Sequence, residues 1–494
     1  MSDDYALLRA YVRQDLSAFV QKCFVTLEPG AAYRHNWHID HLCYQLERVA
    51  RGEVRRLIIN VPPRSMKSIT VSVGFTTWLM GRDPTKKIMC VSYAEDLARK
   101  LAGDAKLVMD ADWYRDAFPQ LAFTSKRPKL TDLQTTRQGY RFAAGMNGAI
   151  LGRGADVIVI DDPIKPSDAL SAAERRRIND AYDMAVYTRL NNKISGAIVI
   201  IMQRLHEDDL VGHVMARDDW EVVSIPATAI ADQRYQLRYR EALTRRPLFY
   251  DRRAGEVLHP EREPLSVLEV NRRVLGSLVY SAQYQQAPTP VEGNIVRRDW
   301  IRTFAERPAT FDFTIASWDT ASTLSETADF SVGQVWGVKG LDFYLIDSVR
   351  GRFEMPELRR QVVDLAHRHR VDQTLIENTE TGRALEQDLR RTGVLRAVLQ
   401  RSRIDKEARF LAQSARFEAG QVHVANDAPW LAEWMDELLS FPNARHDDQV
   451  DATSQALNHL TWRAHRDLRR RTPRQRPKGG PRPLGAPLPR RATD

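Results

Sequence analysis

Leu57-Ile58-Ile59-Asn60-Val61-Pro62-Pro63-Arg64-Ser65-Met66-Lys67-Ser68 decides the reading of this 494-residue chain. Arg56–Val61 reads as a buried strand and Ile69–Met80 as the helix that follows. Lys67 and Ser68 open that helix, where free N–H groups and the helix dipole favour phosphate. The segment departs from the usual phosphate loop, G-x-x-x-x-G-K-[ST], because Val61 and Met66 fill both glycine places. Met66 must therefore accept a backbone shape that glycine adopts more cheaply.

A second segment completes the pattern. Val157-Ile158-Val159-Ile160-Asp161-Asp162-Pro163 reads as a strand ending in two carboxylates. Taken singly, one segment is a basic turn and the other an acidic strand end. Together they supply what a Mg-nucleotide site needs. Pro63, Arg64, Ser65, Met66, Lys67 and Ser68 form the candidate nucleotide-binding turn. Lys67 would reach the β/γ-phosphates, and Ser68 and Asp161 would hold Mg²⁺. Asp162 stands where many ATPases carry a glutamate that polarises the attacking water. Arg64 is either an internal arginine finger or a solvent-facing side chain. Gln203-Arg204 follows the strand Ala197–Met202, at the end of a strand where open α/β sheets bind ligands.

Composition bounds the rest. At 43% apolar and 28% charged residues the chain is ordinary for a soluble protein. Its length implies two or three domains. No window nears 18 uninterrupted apolar residues, so no membrane span is expected. The start, Met1-Ser2-Asp3-Asp4, has no basic n-region and no long apolar stretch, so no signal peptide is expected. The three cysteines, Cys23, Cys43 and Cys90, lack metal-ligand spacing and read as buried thiols. Residues 463–494 hold 11 Lys/Arg against 2 Asp/Glu, which equals the net charge of +9 of the whole chain. With six prolines and few apolar residues, this tail is expected to be disordered; it is either a polyanion contact or a solubilising end.

Strands and helices alternate after residue 56, with strands at Lys87–Ser92, Ala155–Ile160 and Ala197–Met202 and a helix at Leu97–Met109. The alternation implies an α/β domain with a mostly parallel sheet covered on both faces. Residues 1–55 read as a helical lead-in, 56–225 as this first domain, and 226–295 as a looser linker subdomain. Residues 296–462 read as a second α/β domain with a mixed sheet. There Asp319 ends the strand Phe313–Trp318 and Glu377 ends Thr374–Ile376. His446-Asp447-Asp448-Gln449-Val450-Asp451 opens a helix. Each acid alone is a cap or turn residue. As a set they suit two divalent cations, Mg²⁺ or Mn²⁺, arranged for phosphodiester cleavage. Asp447, Asp448 and Asp451 are not separable at this stage. Helical spacing places Asp447 and Asp451 on one face, with Asp448 about 100° away. Asp329 is a strand-start residue or an accessory ligand.

Seven segments in this order, NVPPRSMKS, GRGADVIVIDDP, IVIIMQRLHEDDL, YSAQYQQAP, SWDTA, IENT and HDDQVDA, resemble the large subunit of a tailed-phage terminase, or its relative in gene transfer agents. The resemblance runs from about residue 30 to 460. It implies an ASCE-type P-loop ATPase, with Arg64 and Lys67 matching the loop arginine and lysine and Gln203-Arg204 the coupling motif. It also implies a C-terminal RNase H-like nuclease using Asp319, Glu377 and one acid of the His446–Asp451 motif. The expected protein hydrolyses ATP to drive double-stranded DNA through a portal ring into a procapsid, and cuts concatemeric DNA. It would work with a small terminase subunit, as a ring on the portal and a monomer when free. It would act in the host cytoplasm and be absent from the mature particle. The departures are Met66 for glycine and Asp162 for glutamate. Two rivals are a DNA-repair helicase-nuclease, which lacks further helicase motifs between 205 and 310, and a non-catalytic DNA-binding assembly protein.

Overall fold

β1 (Arg56–Asn60), β2 (Lys87–Ser92), β3 (Asp132–Gln134), β4 (Tyr140–Gly145), β5 (Val157–Asp161), β6 (Ala197–Met202) and β7 (Glu221–Ser224) form one sheet in the order β3-β4-β2-β5-β6-β1-β7. All neighbouring pairs are parallel except β3 with β4. The computed structural model describes residues 3–148, 150, 152–241, 246–288, 295–320, 330–400, 406–444 and 446–471.

Side-chain alternation explains why these strands read as unbroken apolar runs. Leu57, Ile59, Ile88, Val159, Val199 and Ile201 face one core. Ile58, Met89, Val91, Ile158, Ile160, Ile198 and Ile200 face another. A parallel sheet buried on both faces needs apolar residues at every position. Helices Leu16–Leu27, Trp37–Ala50 and Glu95–Asp110 contribute to the first core, and Ala172–Ala181 and Leu210–Met215 to the second. Cys23, Cys43 and Cys90 are buried thiols. Among the described residues no helix is long and apolar enough to cross a membrane.

The chain divides into two compact units. The first comprises Met1–Arg302, Arg401–Gly420 and Glu433–Val450; the second comprises Thr303–Gln400, Gln421–Ala432 and Asp451–Asp494. β8 (Gln233–Glu241) and β9 (Arg246–Arg252) pair as a separate antiparallel ribbon in the first unit. A further sheet joins β10 (Arg302–Phe304), β11 (Phe313–Asp319), β12 (Ser331–Lys339), β13 (Asp342–Gly351), β14 (Gln373–Glu377), β15 (Ala397–Gln400) and β16 (Val422–Ala425), in the order β10-β16-β13-β12-β11-β14-β15. β11, β12 and β13 run antiparallel in succession, whereas β14 lies parallel to β11 and β15 to β14. Ala316, Trp318, Val335 and Ile376 pack against Leu358, Val362 and Leu365 of helix Met355–His369 and Leu385 and Leu389 of helix Glu380–Thr392.

The expected helix after the phosphate turn is present, as a π-helix over Ile69–Phe75 continued by an α-helix over Thr76–Arg82. Two expectations need correction. The region 226–295 is more regular than its arginines and prolines suggested. It holds the β8–β9 ribbon, where Tyr235 and Leu237 are buried between exposed Arg234 and Arg238, and a helix over Leu265–Gln283. That ribbon packs through Trp37, which stacks on Tyr250 with ring centroids 4.7 Å apart. The helix opened by Asp448 continues to Arg471, past the expected start of the tail at 463. Arginine is a good helix former, and the first proline of the tail is Pro473. Asp329 and residues 472–494 lie outside the described residues.

Candidate active sites

β5, β6 and β1 are successive parallel neighbours, so their carboxyl ends emerge on one edge. Asn60 pairs with Met202, and Ile201 with Asp161. The residues that follow these ends are the phosphate turn, Gln203 and Asp162. β6 separates the lysine strand from the aspartate strand, which places Gln203 between them. Lys67 Nζ donates to Asp162 Oδ1 at 2.5 Å and to Gln203 Oε1 at 3.0 Å. Ser68 Oγ donates to Asp161 Oδ1 at 3.1 Å. Lys67, Ser68, Asp161, Asp162 and Gln203 therefore converge. Arg64 is exposed on the turn, whereas Ser65 is buried and Pro63 and Met66 are partly so. The Arg204 side chain points to Asp209, 2.9 Å away, which also caps helix Leu210–Met215.

Backbone strain gathers at the same place. Arg64, Met66 and Asp162 adopt φ of 63°, 59° and 45°. A non-glycine residue in this left-handed region costs about 1–2 kcal/mol. Such cost persists where surrounding structure over-determines it, as at ligand clamps. Met66 packs against the first core, which gives one physical reason for a side chain where glycine would be cheaper. The Asp162 carbonyl accepts from Tyr93 N–H and its own N–H donates to the Ile201 carbonyl, so both sides of this residue are pinned.

Sequence reasoning missed two supports of Asp161. Ser72 Oγ donates to Asp161 Oδ2 at 2.5 Å. Ser72 stands four residues after Ser68, the spacing of one helix face, which was the available signal. Arg141 on β4 is fully buried; its Nη2 donates to the Ser72 carbonyl at 2.9 Å and its Nε to Thr76 Oγ1 at 3.1 Å. No sequence pattern announces it. Arg141 thus satisfies a carbonyl of the π-helix, and π-turns are frequent at functional sites. Burial, and next the charge of Asp162, push the Asp161 carboxyl up to about 6. A buried carboxylate flanked by two hydroxyls, beside a lysine, is a hard-oxygen donor set that fits Mg²⁺ with a nucleotide.

His38 sits behind the turn, with Nε2 3.4 Å from the Ser65 carbonyl. Burial, helped by His259, lowers its pKa to about 3 from 6.5. The unfolded chain protonates His38 near 6.5 and the folded chain does not, so stability falls as pH drops from 6.5 toward 3. His41, His206 and His259 are lowered by burial too and act in the same direction. Asp161 acts oppositely, its raised pKa adding stability as pH falls below about 6. His35 and Glu47, also raised, act with Asp161. The His38 shift is the largest among the histidines, and on its account the melting temperature should drop between pH 7 and 5. His38 contributes up to about 1.4 kcal/mol per pH unit. A His38→Asn variant should show a flatter pH dependence of melting; an unchanged slope would remove His38 from this role.

In the second unit, Trp318 on β11 pairs with Ile376 on β14 in parallel register. Asp319 and Glu377 come next on each strand, so they stand side by side at the carboxyl edge. Thr320 and Thr379 hydroxyls lie 2.8 Å apart, tying the two strand ends together. Thr379 also caps helix Glu380–Thr392 through the Gly382 N–H. A Cβ on Gly382 would lie 2.0 Å from the Glu377 carbonyl, so only glycine lets the helix start this close. Helix residues from Asp451 onward lock onto the same strands. Gln455 Nε2 donates to Ser317 Oγ at 3.0 Å and to the Trp318 carbonyl at 3.3 Å, and Thr453 Oγ1 to Gln334 Oε1 at 3.0 Å.

The helix begins at Asp448, so Asp447 precedes it and the helical spacing expected for Asp447 does not apply. Asp447 pairs with Lys406 at 3.0 Å. Asp448 and Asp451 are each 3% exposed and three residues apart on one helix, close enough to share a face. Glu437 caps this helix start, accepting from Gln449 N–H at 2.6 Å and Val450 N–H at 3.3 Å. Register sets Asp319 and Glu377 on neighbouring strand ends, an oxygen-donor pair of the kind Mg²⁺ or Mn²⁺ takes, whereas the group of three ligand-type side chains within reach of one another among the described residues is His206, Glu207 and Asp208.

Residues 316–460 match the terminase RNaseH-like domain family. No curated protein matches the chain. Among solved structures the chain is similar to the large terminase of a thermophilic bacteriophage, at 11% identity over 84% of this chain and 98% of that one, with a TM-score of 0.50. The same phage protein in complex with ATP-γ-S gives 10% identity, 84% and 98% coverage, and a TM-score of 0.50. The HK97 bacteriophage large terminase gives 11% identity over 90% and 99%, with a TM-score of 0.37.

Proposed function

Residues 316–460 of this chain belong to the terminase RNaseH-like family and the chain has the large-terminase fold, and from that premise we propose that it is an ATP-driven DNA-packaging motor that also cuts DNA. The observation that carries the motor half is the convergence of Lys67, Ser68, Asp161, Asp162 and Gln203 on one sheet edge. The thermophilic-phage large terminase was solved in complex with ATP-γ-S, which supports a nucleotide as a ligand of this fold.

ATP is the substrate here. The Lys67 ammonium and the N–H groups opening its helix hold the β/γ-phosphates. Ser68 and Asp161 would hold Mg²⁺, which supplies charge neutralisation at the phosphates. Asp162, bonded to Lys67 at 2.5 Å, would take the water-orienting role. Arg64, exposed on the turn, is placed to stabilise charge on the transferred phosphoryl. Gln203 reports phosphate loss through its bond to Lys67.

At the second site Asp319, Glu377 and the buried Asp451, all in the second unit, would hold Mg²⁺ or Mn²⁺, which would activate water and stabilise a leaving oxygen of a phosphodiester. The partners in this reading are double-stranded DNA, a portal ring, a small terminase subunit and further copies in a ring. The setting is the host cytoplasm. Supplied to empty proheads with ATP and DNA, the protein should drive nuclease-protected uptake. Uptake that is absent, or independent of ATP, would end the motor reading.

A further inference from the structure

Tyr280-Ser281-Ala282-Gln283-Tyr284-Gln285-Gln286-Ala287 closes the helix Leu265–Gln283, and two of its glutamines bond outside it. Gln286 is 6% exposed with φ 58°. Its Oε1 accepts from the Arg204 N–H at 2.9 Å, and its Nε2 donates to the Gln283 carbonyl at 2.5 Å. Gln285 grips the strap after β7: its Oε1 accepts from the Thr228 N–H at 3.0 Å and its Nε2 donates to the Thr228 carbonyl at 3.1 Å. The Tyr284 carbonyl accepts from the Ala227 N–H at 2.7 Å. Tyr280 and Tyr284 stack with centroids 5.0 Å apart, which stiffens the segment.

The position of Gln286 is telling. A left-handed residue after a helix is usually glycine, which adopts that conformation without strain. Glutamine there carries a backbone cost, and both ends of its amide are bonded. That amide bonds the residue immediately after Gln203, whose side chain holds Lys67. The Arg204 guanidinium is committed to Asp209, so the backbone N–H is the point at which the turn after β6 meets Gln286. Farther along, Gly276 (φ 77°, ψ 162°) interrupts the helix. Ser277 N–H then donates to Glu418 Oε2 at 2.8 Å, on helix Lys406–Glu418 of the same unit.

We propose that Gln286 is a positioning residue that ties the turn Gln203-Arg204 to the C-terminal end of helix Leu265–Gln283, so that phosphate loss at Lys67 is delivered to that helix as movement. The proposal rests on the motor reading. Two states of one element, biased by the nucleotide, are what such a relay requires.

Gln286→Ala should hydrolyse ATP within about threefold of wild type while DNA uptake per ATP falls about tenfold or more. Gln286→Glu keeps an acceptor for the Arg204 N–H and should recover at least half of that coupling, which a merely space-filling side chain would not distinguish. Parallel loss of hydrolysis and uptake, or unchanged uptake per ATP, overturns the proposal. A wild-type chain that shows no ATP-dependent uptake sinks the motor reading instead. In that event, or should Gln286→Ala not fold, hydrogen exchange on the wild-type chain decides. Amides of Arg204 and residues 276–286 should differ in protection between ADP and a non-hydrolysable ATP analogue. Identical protection overturns the relay.

Discussion

Lys67→Ala is expected to lower ATP turnover about 10²–10³-fold, the effect of removing one preorganised donor from a developing phosphoryl charge. The side chain is 8% exposed, and its ammonium is held by Asp162 and Gln203. It therefore reaches the reacting phosphate already aimed and largely desolvated. Its removal has a second consequence. Asp161 and Asp162 lose the cation between them, and Lys67 is what offsets their repulsion at Asp161. The Asp161 carboxyl should then rise further, so the variant should need a higher pH or more Mg²⁺ for residual turnover. Lys67→Arg should not rescue, because a planar guanidinium cannot occupy a pocket fitted to a point charge between two strand ends. Steady-state phosphate release decides the matter, with plasmid cutting as the control that must survive. Turnover within about twofold of wild type would remove Lys67 from the phosphates and the motor assignment with it.

The parts of the fold legible in sequence are those where chemistry is repeated along the chain. Lys87–Ser92 and Ala197–Met202 read as strands with the observed ends because both faces of a parallel strand are apolar, and the run stops where burial stops. β3, β4, β7, β10, β15 and β16 escaped notice: all but the six-residue β4 are strands of three or four residues, which carry too little pattern. The β8–β9 ribbon does alternate, but its outward arginines dominate the composition and hide the inward Tyr235 and Leu237. A π-helix leaves no periodic mark, since one extra residue per turn is a local register event set by what packs outside it, here Arg141 against Ser72.

The same division runs through the candidate sites. Residues adjacent to strand ends, Lys67, Asp161, Asp162, Asp319 and Glu377, stood out because a polar group that closes an apolar run has few structural reasons to be there. What the sequence could not separate was partnership. Only coordinates put Ser68 and Ser72 on Asp161 and the lysine on Asp162. Only coordinates start the last helix at Asp448 and leave Asp447 on Lys406. Arg141 and Gln286 were invisible as agents, because each acts through a backbone group of a residue far away in the chain.

Asp319→Ala is expected to abolish plasmid cutting in Mg²⁺ or Mn²⁺, by at least about 10³-fold, while ATP hydrolysis stays within about twofold. The reason lies in register. β11 and β14 are neighbouring parallel strands, about 4.8 Å apart, and Trp318 opposite Ile376 sets Asp319 beside Glu377. Two carboxylates at that spacing repel, and Asp319 is 9% exposed, so solvent screens it poorly. A divalent cation turns this repulsion into attraction. Metal binding should accordingly appear as stability. Added Mn²⁺ should raise the wild-type melting point, by the equivalent of about 2.7 kcal/mol at a hundredfold excess over its dissociation constant, and leave the variant unmoved. A purely structural aspartate would give a variant that responds to Mn²⁺ like wild type. That result, or full residual cutting, would remove Asp319 from the metal site.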